Sequence, residues 1–317
     1  MNLLKFVLYL PSLILFILII IIRPFLLLRF EQIPSERLGH FSCIIELYLC
    51  EREKEPKILF PKKIDFFCYG NYVCNLQIKK FWNRKLNILP RRFILSLKFW
   101  ANLLSFGDKI SIFKTQDEIK DRITFIHKDT YNLIDNSITH YYFTEKEIKK
   151  NKELLNKYEI NHPGKVAILA LRDDYYFGEV ISKKTNHTSK NKELKNVDIE
   201  TYYKAIEFLI SEGYQVVRIG KGSRKKLDFH SKNFIDLTKK EANNDSLQTY
   251  LISISELVIG CNSGLSYLCA FVFRKPCFIS NHHPYGIFHI ESKLLKINFK
   301  KVYSNNKGRI LNLSEIY

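Results

Sequence analysis

The sequence predicts an α/β fold built on a doubly wound parallel sheet, and three observations carry that reading. Residues 166–171, VAILAL, form a continuous apolar run, the mark of a strand buried on both faces. Similar short runs recur at 215–219 (QVVRI), 234–237 (FIDL), 257–259 (LVI) and 277–280 (CFIS). Stretches with helical spacing separate most of them, so the order is strand, helix, strand, repeated.

Each element follows from local signals. Thr144-Glu145-Lys146-Glu147 puts a hydroxyl at the N-cap and a carboxylate three residues on, a capping box that opens a helix running to Lys157. His162-Pro163-Gly164 then breaks the chain, which sets a boundary between domains at 30–158 and 159–317. Asp198 can cap a helix over 199–211, Glu212-Gly213-Tyr214 turns the chain, and the strand at 215–219 ends in Gly220. Further helices are expected at 246–253 and 265–273. In the first half, 41–49 reads as a buried helix or strand and EREKEPK as a charged break. Residues 64–69 read as a strand turning at Gly70, and 72–84 as a helix through Val73, Leu76, Phe81 and Trp82. A strand at 86–89 ends at Pro90, and a helix at 92–106 ends at Gly107. No pattern assigns 108–142.

The N-terminus differs from the rest. From Phe6 to Ile22 there is no charge, Arg23-Pro24 follows, and a second apolar patch covers 25–28. The first run alone is short for a bilayer span, and the second would complete it if Arg23 snorkels. The first alanine is Ala101, so no small-residue cleavage site follows the run. This predicts a retained membrane-anchoring helix over 1–29, kinked at Pro11 or re-entrant, with the body on the cytoplasmic face of the bacterial inner membrane.

Across 317 residues, 46% are hydrophobic and 14% aromatic, enough to bury two cores and to exclude general disorder. The formal charge of +18 suits an anionic partner, although a Lys- and Asn-rich composition accounts for it as readily. Charge alone motivates a nucleic-acid reading and no recognition module supports one, so no nucleic-acid partner is expected. The seven cysteines show no C-x-x-C spacing, which argues against a zinc ribbon and against a disulfide framework.

In a doubly wound sheet, ligands bind outside the carboxyl ends of the strands. This chain places Arg172-Asp173-Asp174-Tyr175, Gly220-Lys221-Gly222, Asn262-Ser263-Gly264 and Asn281-His282-His283 there. The Asn-Ser-Gly triplet interrupts an apolar segment between a strand and a helix. Small residues let a ligand approach the backbone, and the helix opens with free N–H groups suited to phosphate. An ordinary helix cap accounts for the same triplet. Arg172 can grip a diphosphate or simply sit solvated at a strand end. Arg218, a charge inside an apolar strand, must reach the crevice or pair with an acid such as Asp236. The long stretch 173–197, with Tyr175, Tyr176 and five lysines, is a lid or acceptor loop, or a plain insertion. His282, His283 and His289 match no metal-ligand spacing, so a loop or acceptor role is preferred and no metal site is expected.

The segment SISELVIGCNSGLSYLCAFVFRKPCFIS resembles the corresponding part of GT-B glycosyltransferases of the heptosyltransferase-like kind, with Asn262 where an Asp is usual. RLGHF at 37–41, FTEKE, ALRDDYY, DIETYYKA, GYQVVRIG and CNSGLS also resemble a bacterial glycosyltransferase family linked to surface polysaccharide. The resemblance implies two Rossmann-like domains facing a cleft. It implies a nucleotide-sugar donor held by Arg172, Arg218, Gly220, Asn262, Ser263 and Gly264, and a glycan or lipid-linked acceptor. Arg37 and Gly39 would lie on an N-terminal-domain loop facing the cleft, and with Asp173, Tyr175, Asn281 and His282 they are the acceptor or lid candidates. His40 stands where the family has an acid acting as base, with Glu46 the alternative. The chain has no Asp-x-Asp, which favours a metal-free reaction with no cofactor beyond the donor. A non-catalytic protein with a decayed donor cleft is the rival reading.

Overall fold

Alternating apolar residues along Lys62–Tyr69 sort onto two faces of a sheet, and this sets the plan of the first half. In the computed structural model the described residues are 3–56, 60–112, 129, 131–161, 165–173, 175, 196–225, 227–238, 244–283 and 292–316. Side chains of 3–8, 108 and 313 are not described. The chain divides into two compact units, Met1–Ile126 and His127–Tyr317.

The first unit carries α1 (Leu3–Ile22), β1 (Leu26–Ile33), α2 (Leu38–Lys54), β2 (Lys62–Tyr69), α3 (Leu76–Lys85), β3 (Asn87–Ile88), α4 (Arg91–Leu103) and a single turn, α5 (Gly107–Ile110). Its three strands are parallel in the order β1-β2-β3. Phe30 and Cys68 join Phe16, Ile19, Ile94, Leu97, Trp100 and Ala101 in one core, formed by α1 and α4 against the sheet. On the opposite face, Phe67 meets Tyr48 of α2 edge to face, and Tyr69 meets Phe41. The Trp82 indole N–H donates to the Phe41 carbonyl at 3.0 Å and ties α3 to α2. Charge is neutralised within this unit too. Asp65, 5% exposed, accepts two bonds of 2.7 Å from Arg29 and one of 2.5 Å from the Tyr48 hydroxyl.

The apolar N-terminal run corrects an expectation. Among the described residues, no helix is long and apolar enough to cross a membrane. The expected membrane-anchoring helix is therefore withdrawn, and with it the placement on the inner-membrane face by that helix. The physical reason lies in where the two apolar patches go. The second patch is spent on β1 rather than on lengthening the helix, so α1 stops at Ile22. The helix commits Phe16 and Ile19, 1% and 3% exposed, to the core it shares with α4. The Trp100 indole N–H donates to the Tyr9 carbonyl at 2.8 Å, fastening α1 to α4 next to Pro11.

The second unit holds α6 (Glu145–Lys157), β4 (Val166–Ala170), α7 (Tyr203–Ser211), β5 (Gln215–Arg218), β6 (Phe234–Asp236), α8 (Asp245–Ile254), β7 (Leu257–Gly260), α9 (Gly264–Tyr267), β8 (Cys277–His282), β9 (Leu295–Phe299), the pair β10 (Tyr303–Ser304) and β11 (Arg309–Ile310), and α10 (Leu313–Ile316). Thr144 and Glu147 form the expected capping box on α6. A 3-10 turn, Ile199–Tyr202, leads into α7, and α9 continues as a π-helical segment, Leu268–Val272. All six main strands are parallel in the order β6-β5-β4-β7-β8-β9. Every residue of β4 is buried, as expected for the central strand of a sheet covered on both faces. Chain order reverses between β4 and β7, so the topological switch point lies between their carboxyl ends.

Candidate functional site

The switch point is built from the residues that leave β4 and β7. The Arg172 backbone N–H donates to the Cys261 sulfur at 3.2 Å, joining the two strand ends. Cys261 is fully buried, and burial pushes its thiol up to about 11, so it is neutral near pH 7. Ser263 is the N-cap of α9, and its Oγ accepts the Ser266 N–H at 3.3 Å. Ser266 Oγ donates to the Cys261 carbonyl at 2.7 Å. A Cβ on Gly260 would fall on Ser266 Oγ, so glycine at the end of β7 is what lets α9 close onto the strand. The Asn-Ser-Gly triplet thus forms a helix cap at the switch point, the ordinary one of the two explanations the sequence left open.

Behind the triplet runs a polar relay. The Tyr267 hydroxyl lies 3.3 Å from Asn262 Oδ1 and 3.0 Å from His282 Nε2. His282 Nδ1 is 2.8 Å from the His283 carbonyl, and a donor is required at that nitrogen. His282 is 1% exposed, so it braces Asn262 from within. Asn281, with φ 54°, donates from Nδ2 to the Tyr202 hydroxyl at 3.2 Å, and Tyr202 meets Ser280 Oγ at 2.6 Å. Burial raises the Tyr202 phenol above its ordinary value.

A second cluster follows β5. Arg218 is 1% exposed and bonds Asp236 at 3.0 Å, the Lys225 carbonyl at 3.2 Å and Ser223 Oγ at 2.6 Å. Of the two arrangements the sequence allowed, Arg218 takes the pairing with Asp236. Asp173 accepts from Ser223 Oγ at 2.5 Å, from the Arg224 N–H at 2.7 Å and from the Tyr175 N–H at 3.0 Å. Gly222 has φ 92°, and a Cβ there would land on the Tyr175 ring. The Gly220 carbonyl accepts from Gln248 Nε2 at 3.1 Å. Together these bonds hold the 220–225 turn beside the end of β4. Asp174, Tyr176 and the lysines of the proposed lid lie outside the described residues, as do His162-Pro163-Gly164 and His289.

In the first unit, the loops after β1 and β2 are laced together. Ser35 Oγ donates to the Tyr72 carbonyl at 2.6 Å and accepts the Gly70 N–H at 3.0 Å. Glu36 accepts the Asn71 N–H at 3.0 Å, in the space a Cβ on Gly70 would need. This lacing fixes the start of α2, where Arg37 is the N-cap without a side-chain cap bond. Gly39 and His40 stand half-buried on the first turn. Glu46 is fully buried about two turns into the same helix. Its carboxylate lies within 4.8 Å of the Cys50 sulfur.

Sequence reasoning missed Lys300, Tyr202 and Tyr267. Lys300 follows β9, and the signal was present: Leu295, Ile297 and Phe299 alternate with polar residues, the period of a strand.

No protein-family model and no curated protein matches the chain. Among solved structures, it is similar to the crystal structure of the glycosyl transferase family 9 from Veillonella parvula DSM 2008. The TM-score is 0.52 at 9% identity, over 88% of this chain and 89% of that one. This shows a shared GT-B-type fold across most of the chain and only the fold. A second likeness, to E. coli heptosyltransferase WaaC with ADP-2-deoxy-2-fluoro heptose, has TM-score 0.44 at 12% identity, over 85% of this chain and 92% of that one.

Proposed function

We propose that this chain is a glycosyltransferase that moves a sugar from a nucleotide-sugar donor to a glycan or lipid-linked acceptor. The observation that carries the reading is the switch point itself. There the backbone of Arg172, the Ser263 cap and Asn262, bonded by Tyr267, stand at the ends of β4 and β7. Such a site suits a diphosphate, which needs cationic and N–H donors and close backbone approach. The fold likeness to a family 9 glycosyl transferase agrees with it.

In the proposed reaction an acceptor hydroxyl attacks the anomeric carbon, and the bond from that carbon to the phosphate oxygen breaks. The electron pair leaves with the nucleoside diphosphate, and the Arg172 guanidinium meets the charge that develops. His40 takes the hydroxyl proton; its intrinsic range suits it to act as a base near neutral pH. It stands half-exposed at a helix start, whereas Glu46 is enclosed. Arg218 and Asp173 act by positioning the 220–225 turn. The absence of Asp-x-Asp favours a reaction without a divalent ion. The Glu46 and Cys50 side chains are the donors that a contrary result would bring into play.

The test is calorimetry of the full chain with UDP-, GDP-, ADP- and CMP-linked sugars, with and without EDTA, with Arg172→Ala alongside. We expect one nucleotide class to bind, unaffected by EDTA and weakened about tenfold or more in the variant. Binding by none of them overturns the reading. Donor binding with no transfer to any acceptor would favour the non-catalytic alternative, for which the burial of Arg218 against Asp236 is the supporting observation.

A further inference from the structure

Lys300 reaches the switch point from the edge of the sheet. Its backbone N–H donates to the His282 carbonyl at 2.8 Å, which holds it beside the end of β8. Its ammonium donates to the Asn196 carbonyl at 2.8 Å. The next residue, Val197, donates its N–H to the Arg172 carbonyl at 3.1 Å. Lys300 and Arg172 are therefore fastened to adjacent residues of one backbone stretch, and both lie within electrostatic reach of Cys261. An ammonium has three donors, and the Asn196 carbonyl takes one. Among the described residues no acidic side chain pairs with Lys300. Burial lowers its pKa, and the neutral Cys261 thiol offers no compensating charge near pH 7.

A half-buried cation with no counter-charge among the described residues is costly unless an anion completes it. We infer that Lys300 is a second cationic contact for the donor diphosphate, closing the switch point from the side opposite the 220–225 turn. This deepens the donor-site reading above and rests on it. The two cations differ in kind: Arg172 offers a planar fork and Lys300 a compact point charge. The pair fits a group with two linked phosphates better than a single carboxylate.

The experiment is calorimetry of the full chain with inorganic pyrophosphate and with UDP, GDP, ADP and CDP. The proteins are wild type, Lys300→Gln, Lys300→Arg and the control Lys301→Gln, which removes an exposed charge next door. Lys300→Gln should weaken the diphosphate that binds by about tenfold or more, the loss of one charge-assisted contact. Lys300→Arg should retain most of the affinity and Lys301→Gln all of it, and the matching nucleoside should bind all four proteins alike. If Lys300→Gln binds diphosphate as wild type does while Arg172→Ala is weakened, the Lys300 assignment is wrong and the donor site stands. The assignment also fails if Lys300→Arg is as weak as Lys300→Gln. If pyrophosphate binds wild type and not Lys300→Gln, yet no nucleoside diphosphate binds, the anion site stands and the nucleotide-sugar reading fails. Binding of neither to wild type overturns both.

Discussion

The two parallel sheets finish their strands in different ways. At the carboxyl ends of β1 and β2 the first unit places acids and hydroxyls that bond their own loops: Ser35 and Glu36 satisfy Gly70, Asn71 and Tyr72. At the carboxyl ends of β4, β7 and β9 the second unit places cations and small residues: Arg172, Ser263, Gly264 and Lys300. One rim is internally neutralised and rigid. In the other, Asp173 holds the 220–225 turn and Asp236 pairs with Arg218, while Lys300 meets no acidic side chain among the described residues. The proposed donor site thus belongs to only one of two sheets of the same α/β architecture, and the proposed division of labour rests on a few residues per loop.

Each unit holds an ion pair with a buried partner, Arg29–Asp65 in the first and Arg218–Asp236 in the second, and breaking these should give the largest effects. Asp65→Ala leaves Arg29 uncompensated in the first unit, and Asp236→Ala does the same to Arg218 in the second. Removing one partner of a buried pair costs about 3–5 kcal/mol. Denaturant melts should show losses of that order for both variants. Donor affinity should fall for Asp236→Ala, because Arg218 anchors the 220–225 turn, and should hold for Asp65→Ala under conditions where each remains folded. Equal effects on donor affinity would erase the proposed contrast between the units.

Next in size is His40. His40→Ala should lower kcat by about 10²-fold or more, the scale of a lost general base, while the calorimetric Kd for donor stays as in wild type. A loss confined to KM would move His40 from base to acceptor contact.

Gly260→Ala should cost about 1–3 kcal/mol, the usual scale for inserting a methyl group into filled space. The neighbour that must give way is Ser266, which is buried and committed to the Cys261 carbonyl. The displaced α9 start should also weaken the donor. Wild-type donor affinity in this variant would show that the Ser263-Gly264 amides are not part of the site.

Much of this was legible in the sequence, for reasons specific to each residue. VAILAL is apolar without alternation because both faces of β4 are covered, and the Thr144–Glu147 capping box is a purely local signal. Asn262-Ser263-Gly264 was readable because strand, small triplet and helix are consecutive. What the sequence hid was long-range. Whether Arg218 faces a ligand or Asp236 depends on a residue 18 positions away, on the adjacent strand. Lys300 reaches Asn196 across 104 positions. The fate of the N-terminal apolar run was hidden for the same reason, since hydropathy cannot tell a helix that meets lipid from one that meets Trp100.

The smallest predicted effect probes that last point. Trp100→Phe keeps an aromatic ring in the core of the first unit but removes the N–H that reaches the Tyr9 carbonyl at 2.8 Å and Ser12 Oγ at 3.2 Å. The Tyr9 ring packs on Phe99 at 5.5 Å, so the docking of α1 survives in part. The expected cost is about 1 kcal/mol, the net worth of one such bond. Hydrogen exchange should quicken in α1 and α4, with the second unit and its donor affinity untouched. If stability and exchange were both unchanged, α1 would draw little from its contact with α4. If donor affinity fell as well, the proposed contrast between the two units would need to be redrawn.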